Sequence, residues 1–536
     1  MIETFSLADI PGFPQQEYED ILARAAEAER WFTGQALTEK SSQGDQIELY
    51  PLKINPIFGT VVKHAAMLFG DPEDDGRSLV YSKIVARDQS LKDSAKIAEE
   101  TLNDVWFENH GRSLMMQGGI LSQIYGGCVF KATYVPWETD REIPIRIELL
   151  NPKCFVGIAD GSDNFRLLAA WVIRKISLEE AIQWGYVGSD DYVYYVEHWT
   201  RQYYKIWIDG KPATWTGGGE TVQLGGDNPF GFVPMVYIPH LRATDFYGIN
   251  AFDQLKGEVT ELNLRFGDYG DAVNDDAHSY TAMRNVNGSP QVRRIAEGLP
   301  VIDLGSAPNI SGQEPQPDLF EIRKQRANTA MRDLVHEVYA QYRRDSFVPA
   351  VAEGEDEGSQ RSSLTLATRF WPLTSHLFQE RIFWTDGLNV FQRYLLLMMF
   401  KQKLAGITQD MLGMRMKQKW ANMLPRDREV DVQEWVSRAS GRLGSIETLL
   451  ELTGDIENIE EEKAKILAWE QALLDMQTDA QVQVTEAQGE MMIQQVEAQA
   501  KLAPAPGEGG GGGGQRVKPP SAKKVAIPAK AGGKTP

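Results

Sequence analysis

Between residues 252 and 273 the apolar side chains Phe252, Leu255, Val259, Leu262, Phe266, Tyr269 and Val273 recur at alternating steps of three and four. That spacing draws one apolar stripe down a helix of roughly six turns or more. Such a stripe fits a helix facing the core of its own chain equally as well as one facing a neighbour. A second stripe, Met331, Leu334, Val335, Val338 and Tyr342, follows after "NVNGSPQVRRIAEGLPVIDLGSAPNISGQEPQP", where Gly, Pro and Ser break the helical pattern. The expected order is a long helix from about residue 250, a small insert with short strands, and a long helix from about residue 317. Arg323, Lys324, Arg326, Arg332, Arg343 and Arg344 give the second helix local basic charge.

Next comes "AVAEGEDEGSQRSS" at 350–363, with four carboxylates, two glycines, three serines and no large side chain. It separates the amphipathic "TAMRDLVHEVYAQYR" from the apolar "ERIFWTDGLNVFQRYLLLMMF". A flexible acidic loop is expected there. Within the apolar segment, residues 382–400 carry Asp386, Asn389 and Arg393. The uninterrupted apolar run falls far short of the roughly 20 residues a membrane span needs, so a buried helix is expected.

The N-terminal part reads as helices: "YEDILARAAEAERWF", "NPIFGTVVKHAAMLFG" with its Gly70–Asp71–Pro72 stop, "SLKDSAKIAEETLNDVWFENHG" and "RSLMMQGGILSQIYGG". From Cys128 to His240 the period changes to short β-branched and aromatic runs, among them "CVFKATYVPW", "IPIRIELL", "LLAAWVIRKI", "DYVYYVEHW" and "PMVYIPH". Turn signals such as Asp209–Gly210 separate them. That describes a mostly antiparallel β region, with one short helix at "SLEEAIQWG". The C-terminal part returns to helix, and Ile466, Leu473, Ala480 and Ala487 keep a weak seven-residue spacing suited to packing on identical neighbours. After Ala503 a glycine run leads into a Lys/Pro/Ala tail with no apolar run to bury, so disorder is expected. The fold class is therefore α+β and predominantly helical.

Net charge of −20 argues against a surface that grips nucleic acid all round, because phosphate binding needs a basic field, but it leaves room for one past which DNA slides. Two cysteines, Cys128 and Cys154, cannot make a disulfide framework or a structural zinc site. The first residues, "MIETFSLADIPGFPQQEYED", lack a basic segment followed by an apolar core, so synthesis in a reducing cytoplasm is expected.

Catalytic motifs fail on their surroundings. "GGKT" at 532–535 has Pro528 where a phosphate loop needs Gly, with no strand before it and no helix after it. "NDDAH" at 274–278 sets Asp275, Asp276 and His278 close together, the one pattern open to a metal-dependent nuclease. A hydrolytic centre needs further converging ligands, and seven histidines in the chain supply few. There is no G-x-S-x-G elbow. The expectation is a non-enzyme with no cofactor and no metal.

Three further stretches carry a resemblance in their joint order. They are "NPIFGTVVKHAAMLFGDP", then "NPFGFVPMVYIPHLRATDFYGIN" at 228–250 running into "GEVTELNLRFGD", and "FVPAVAEGEDEGSQRSSLTLATRFWPL" followed by "MLPRDREVDVQEWVSRASGRLGSIETLLEL". Over roughly residues 50–480 the chain resembles the portal proteins, or head-to-tail connectors, of long-tailed bacteriophages. One departure is Arg361–Ser362–Ser363–Leu364, where many relatives carry Ser-Gly and small residues.

The resemblance implies a ring, typically of twelve subunits, at one capsid vertex, through which double-stranded DNA is packaged and ejected. Its implied divisions are a wing at 1–249, a stem helix at 250–284, a clip at 285–316, a second stem helix at 317–345 and a tunnel loop at 346–363. Wing and apolar helix follow at 364–425, a helical crown at 426–502 and a disordered tail at 503–536. The implied partners are the terminase large subunit, the major capsid and scaffolding proteins and a head-completion adaptor, with no membrane. The implied location is the virion, and the host cytoplasm during assembly.

On this reading Glu353, Glu355, Asp356, Glu357 and Arg361 lie on the loop facing the DNA channel. Repeated around an axis, the carboxylates make a collar that repels phosphate, so DNA does not stick. Arg293, Arg294, Glu297 and Asp303 fall on the clip, where motor or adaptor docks, and Lys518, Lys523, Lys524 and Lys530 of the tail face DNA or an acidic partner. The alternative is a self-assembling helical structural or adaptor protein of the virion with no DNA channel, its acidic loop a solvated linker.

Overall fold

The computed structural model describes residues 7, 10–38, 53–70, 79–138, 140–217, 220–243, 245–277, 280–284, 301–303, 318–322, 329–354, 363–423, 428–441 and 459–501. They belong to two compact units, residues 1–457 and 458–536. The first unit begins with α1 (Gln15–Phe32), α2 (Pro56–Phe69), α3 (Lys92–Glu108) and α4 (Gly111–Tyr125). Pro56 opens α2, where its missing N–H costs nothing, and Gly70 at φ 76 ends it.

Strands follow as expected. Phe155–Asp160, Asp163–Ser177, Tyr192–Thr200, Tyr203–Ile208 and Gly225–Asp227 lie side by side in that order, with Lys211–Pro212 on Tyr203–Ile208. Ile145–Leu150, Gly127–Tyr134 and Met235–Pro239 form a second sheet, and every pairing in the two sheets is antiparallel. The short α5 (Leu178–Gln183) is capped by Ser177, whose hydroxyl accepts from the Glu180 N–H. Mixed helix and antiparallel sheet is therefore the observed architecture.

Next come α6 (Lys256–Ala277), α7 (Thr329–Asp345) and α8 (Ser363–Gln402), then the single turn α9 (Gln409–Leu412) and α10 (Arg428–Ser440). The second unit is described by α11 (Ile459–Lys501), 43 residues long. Core packing centres on α8, whose Trp384, Leu388, Phe391, Leu395 and Met399 are fully buried at helical spacing. Trp384 meets Phe69 of α2 edge-on at 5.3 Å, and each such side chain contributes on the order of 1.5–3 kcal/mol by leaving water. Gly387 lets α8 lie on the sheet: a Cβ there would stand 2.6 Å from Ile238 Cγ1.

The elements depart from the expected bounds at two places. The helix expected over 250–284 is α6, ending at Ala277, and Tyr280–Arg284 is a strand. The helix expected from 317 starts at Thr329, and Asp318–Ile322 is a strand antiparallel to Tyr280–Arg284. Val301–Asp303 pairs parallel to Tyr280–Arg284 on its other edge. A backbone partner across the insert outweighs the helix propensity of these short segments. Within 364–425, beyond the apolar helix, Arg415–Trp420 is a strand paired with Val80–Val85, and Ser82 Oγ donates to Gln418 Oε1 across 336 residues.

Candidate functional site

α6 and α7 lie against each other, and the three-stranded sheet of the insert joins the end of α6 to the start of α7. The end nearer the body is pinned. Asn263 donates to the Ile54 carbonyl at 2.8 Å and accepts from the Ile54 N–H at 3.0 Å. Tyr342 is buried and shares a 2.7 Å hydrogen bond with Thr60 of α2. Phe252, Leu255 and Val259 share a buried cluster with Tyr342.

Away from that end the cover thins. Along the expected stripe Phe252, Leu255, Val259 and Leu262 are buried, Phe266 and Tyr269 are partly buried, and Val273 is 43% exposed. On α7 Tyr342 is buried, Val338, Val335 and Met331 are partly so, and Leu334 is 45% exposed. The apolar pattern runs further than this chain alone can cover it.

Where the chain leaves α7, it turns through Ala350–Glu353, and Glu353 sits in a cage of polar side chains. Its carboxylate is 3.1 Å from Lys63 Nζ and 2.8 Å from Arg343 Nε. Tyr339 donates its hydroxyl to it at 3.1 Å, and the Arg343 guanidinium lies 4.5 Å over the Tyr339 ring. Burial and the neighbouring Glu353 charge both push the Tyr339 phenol up from its ordinary value. Glu353 is therefore a charge-paired, largely buried anchor at the end of this turn. Lys63 and Tyr339 escaped sequence reasoning because nothing local marks them as partners of Glu353, 290 and 14 positions away.

Glu355, Asp356, Glu357 and Arg361 lie outside the described residues, as do Arg293, Arg294 and Glu297 of the insert and Lys518, Lys523, Lys524 and Lys530 of the tail. Asp303 ends the Val301–Asp303 strand, its backbone opposite Met283. "NDDAH" straddles the end of α6, with His278 outside the described residues. Among the described residues no group of three His, Cys, Asp or Glu is placed to hold a metal ion, and no helix is long and apolar enough to cross a membrane.

No family model matches the chain, and no curated protein matches it. Many chains in solved structures are similar to it, two of them from gene transfer agent particles. One is a chain in the virion of a native gene transfer agent particle, with 12% identity and a TM-score of 0.40, covering 80% of this chain and 93% of that one. The other is a chain in the neck of an empty gene transfer agent particle, with 13% identity and a TM-score of 0.39, covering 75% and 90%.

Proposed function

We propose that this chain is the subunit of a phage-type portal: a ring that passes double-stranded DNA through its axis and serves as a docking hub rather than an enzyme. The observation that carries the reading is the α6–α7 pair. Its apolar stripes outrun the cover one chain supplies, and a small sheet closes its far end. Copies around an axis would cover those stripes with each other's, as a ring stem requires. α11 supports association in its own right, since Trp469, Leu474, Met476 and Met492 are exposed on it in a single chain. Partners on this reading are a packaging motor, capsid and scaffolding proteins and a head-completion adaptor. Negative-stain microscopy of the purified protein should show rings with a central hole wide enough for duplex DNA. A monomer at concentrations well above micromolar would overturn the reading, and a closed assembly without a hole would favour the channel-free structural protein.

The position of Glu353 sharpens the test of the acidic segment. Since Glu353 anchors the chain, the collar charges are Glu355, Asp356 and Glu357, directly after it. Changing those three to lysine, with Glu353 kept, should leave rings intact yet slow DNA packaging. The effect should be largest at low salt, where the charges act beyond about 10 Å before they are screened. The readout is the protected DNA length from in vitro packaging over a salt series. Unchanged packaging at low salt would remove this segment from the channel.

A further inference from the structure

Three of the chain's seven histidines converge inside the first unit on one buried carboxyl group. His64 comes from α2, His240 follows the Met235–Pro239 strand, and His376 and Glu380 come from α8. The His376 ring lies 5.5 Å from that of His64 and 5.8 Å from that of His240. His240 Nε2 stands 3.7 Å from Glu380 Oε2, and Gln123 of α4 donates to both Glu380 oxygens at 2.8 and 3.0 Å. Two of the rings have their tautomer set by a carbonyl: His64 Nε2 donates to Ser346 O and His240 Nδ1 to Ile249 O, each at 3.0 Å. Beyond these, His64 Nδ1 faces the Gln123 side chain, and His240 Nε2 and His376 Nε2 are buried without a hydrogen bond.

This cluster also grips the chain as it leaves α7. The Ser346 carbonyl accepts from His64, and the Phe347 ring stacks on His376 at 4.7 Å with planes 13° apart. Phe347 has φ 59, a left-handed conformation that costs a bulky residue roughly 1–3 kcal/mol. Those two contacts hold it there. We propose that His64, His240, His376 and Glu380 form a proton-operated latch: uncharged, it holds Ser346 and Phe347 to the body; charged, it lets them go and frees the connection that leads to the acidic segment. The inference concerns one subunit and stands whether or not the chain forms a channel.

The charge balance gives the direction. Burial, reinforced by His376, pushes His64 and His240 down to about 3, and burial lowers His376 also. Burial pushes Glu380 up to about 8, partly offset by hydrogen bonds from Gln123 and Ser122 and by the Arg381 charge. Lys63 of α2 adds to the cost of charging His64, although the Gln123 side chain favours it. Facing the cluster from the Gly127–Tyr134 strand, the Cys128 thiol is pushed up by burial and by Glu380. Histidines with depressed values stabilise the closed state above their ordinary 6.5 and lose that contribution as pH falls below it. Glu380, raised from 4.5, stabilises it fully below that value and loses the contribution as pH rises toward 8. Closure is therefore tightest near neutrality and opens on both sides.

Hydrogen exchange of the full-length protein from about pH 5 to about pH 8, corrected for intrinsic exchange, tests this. Peptides spanning 344–354 should open more readily below about pH 6.5, by about tenfold per pH unit for each histidine that charges on opening beyond the one that Glu380 offsets. A peptide from 391–400 in the core serves as the global reference and should stay protected. His376→Phe, which keeps the stack, combined with His64→Gln, which keeps a donor for Ser346, should flatten the acid limb. Glu380→Gln should flatten the alkaline limb. An unchanged acid limb in the double variant, or wild-type opening of 344–354 that merely follows the core peptide, would overturn the latch.

Discussion

Val273→Glu combined with Leu334→Glu is expected to abolish ring formation while leaving a folded subunit. Val273 is 43% and Leu334 45% exposed in the single chain, so carboxylates there meet water and change subunit stability by less than about 0.5 kcal/mol. In the proposed ring the same positions on α6 and α7 would lie against a neighbour, and each contact would repeat around the axis. Burying an unpaired carboxylate costs several kcal/mol per contact, more than a closed ring can absorb at every interface. Light scattering and the thermal melt of the dissociated subunit, taken together, decide the matter. Rings of normal size from the double variant would show that these helices do not form the subunit interface. A collapsed melt would show instead that one chain already buries them.

The largest stability effect should come from Lys131→Met. Lys131 and Glu197 are buried 2.8 Å apart between the two sheets' strands. The same carboxylate accepts from the Tyr195 hydroxyl at 2.9 Å and the Trp199 indole at 2.8 Å, with Arg174 at 3.3 Å. Burial acts to raise the Glu197 carboxyl, but the Lys131 and Arg174 charges and the hydrogen bonds outweigh it and hold it down at about 2. Methionine keeps the length of the lysine and removes its charge, leaving a fully buried carboxylate short of its nearest cation. A loss of about 3–5 kcal/mol follows, measured as a lower urea midpoint at unchanged slope. A depressed carboxyl stabilises the fold above its unfolded value of 4.5 and loses that as pH falls toward 2. In the variant the folded-state value moves up toward 4.5, so the acid loss should be smaller and should end at a higher pH. Adding Glu197→Gln should recover part of the stability, because no buried charge is then left alone. A single-variant loss under about 1 kcal/mol would mean that water or Arg174 replaces the lysine.

Much of the fold was legible in local pattern. Pro56 and Gly70 bound α2, alternation marked the strands between Cys128 and His240, and the three-four spacing after Phe252 marked α6. Caps, turns and periodicity act within a few residues, so a single sequence carries them. The same spacing did not say how far along α6 one chain covers its stripe, because a face reads alike whoever buries it. Tyr280–Arg284 and Asp318–Ile322 became strands through pairing with each other. Val80–Val85 found its edge on Arg415–Trp420, far along the chain. At the site, the acidic composition around Glu353 was plain. Its neutralisation by Lys63 and Arg343, and the meeting of His64, His240 and His376 on Glu380, were not. The sequence by itself determined the helices, the antiparallel strands and the run of acidic charge, since those depend on neighbours in the chain. Only the tertiary structure decided which charges are quenched and which histidines are shut away from water, since both depend on residues that folding alone brings within a few ångströms.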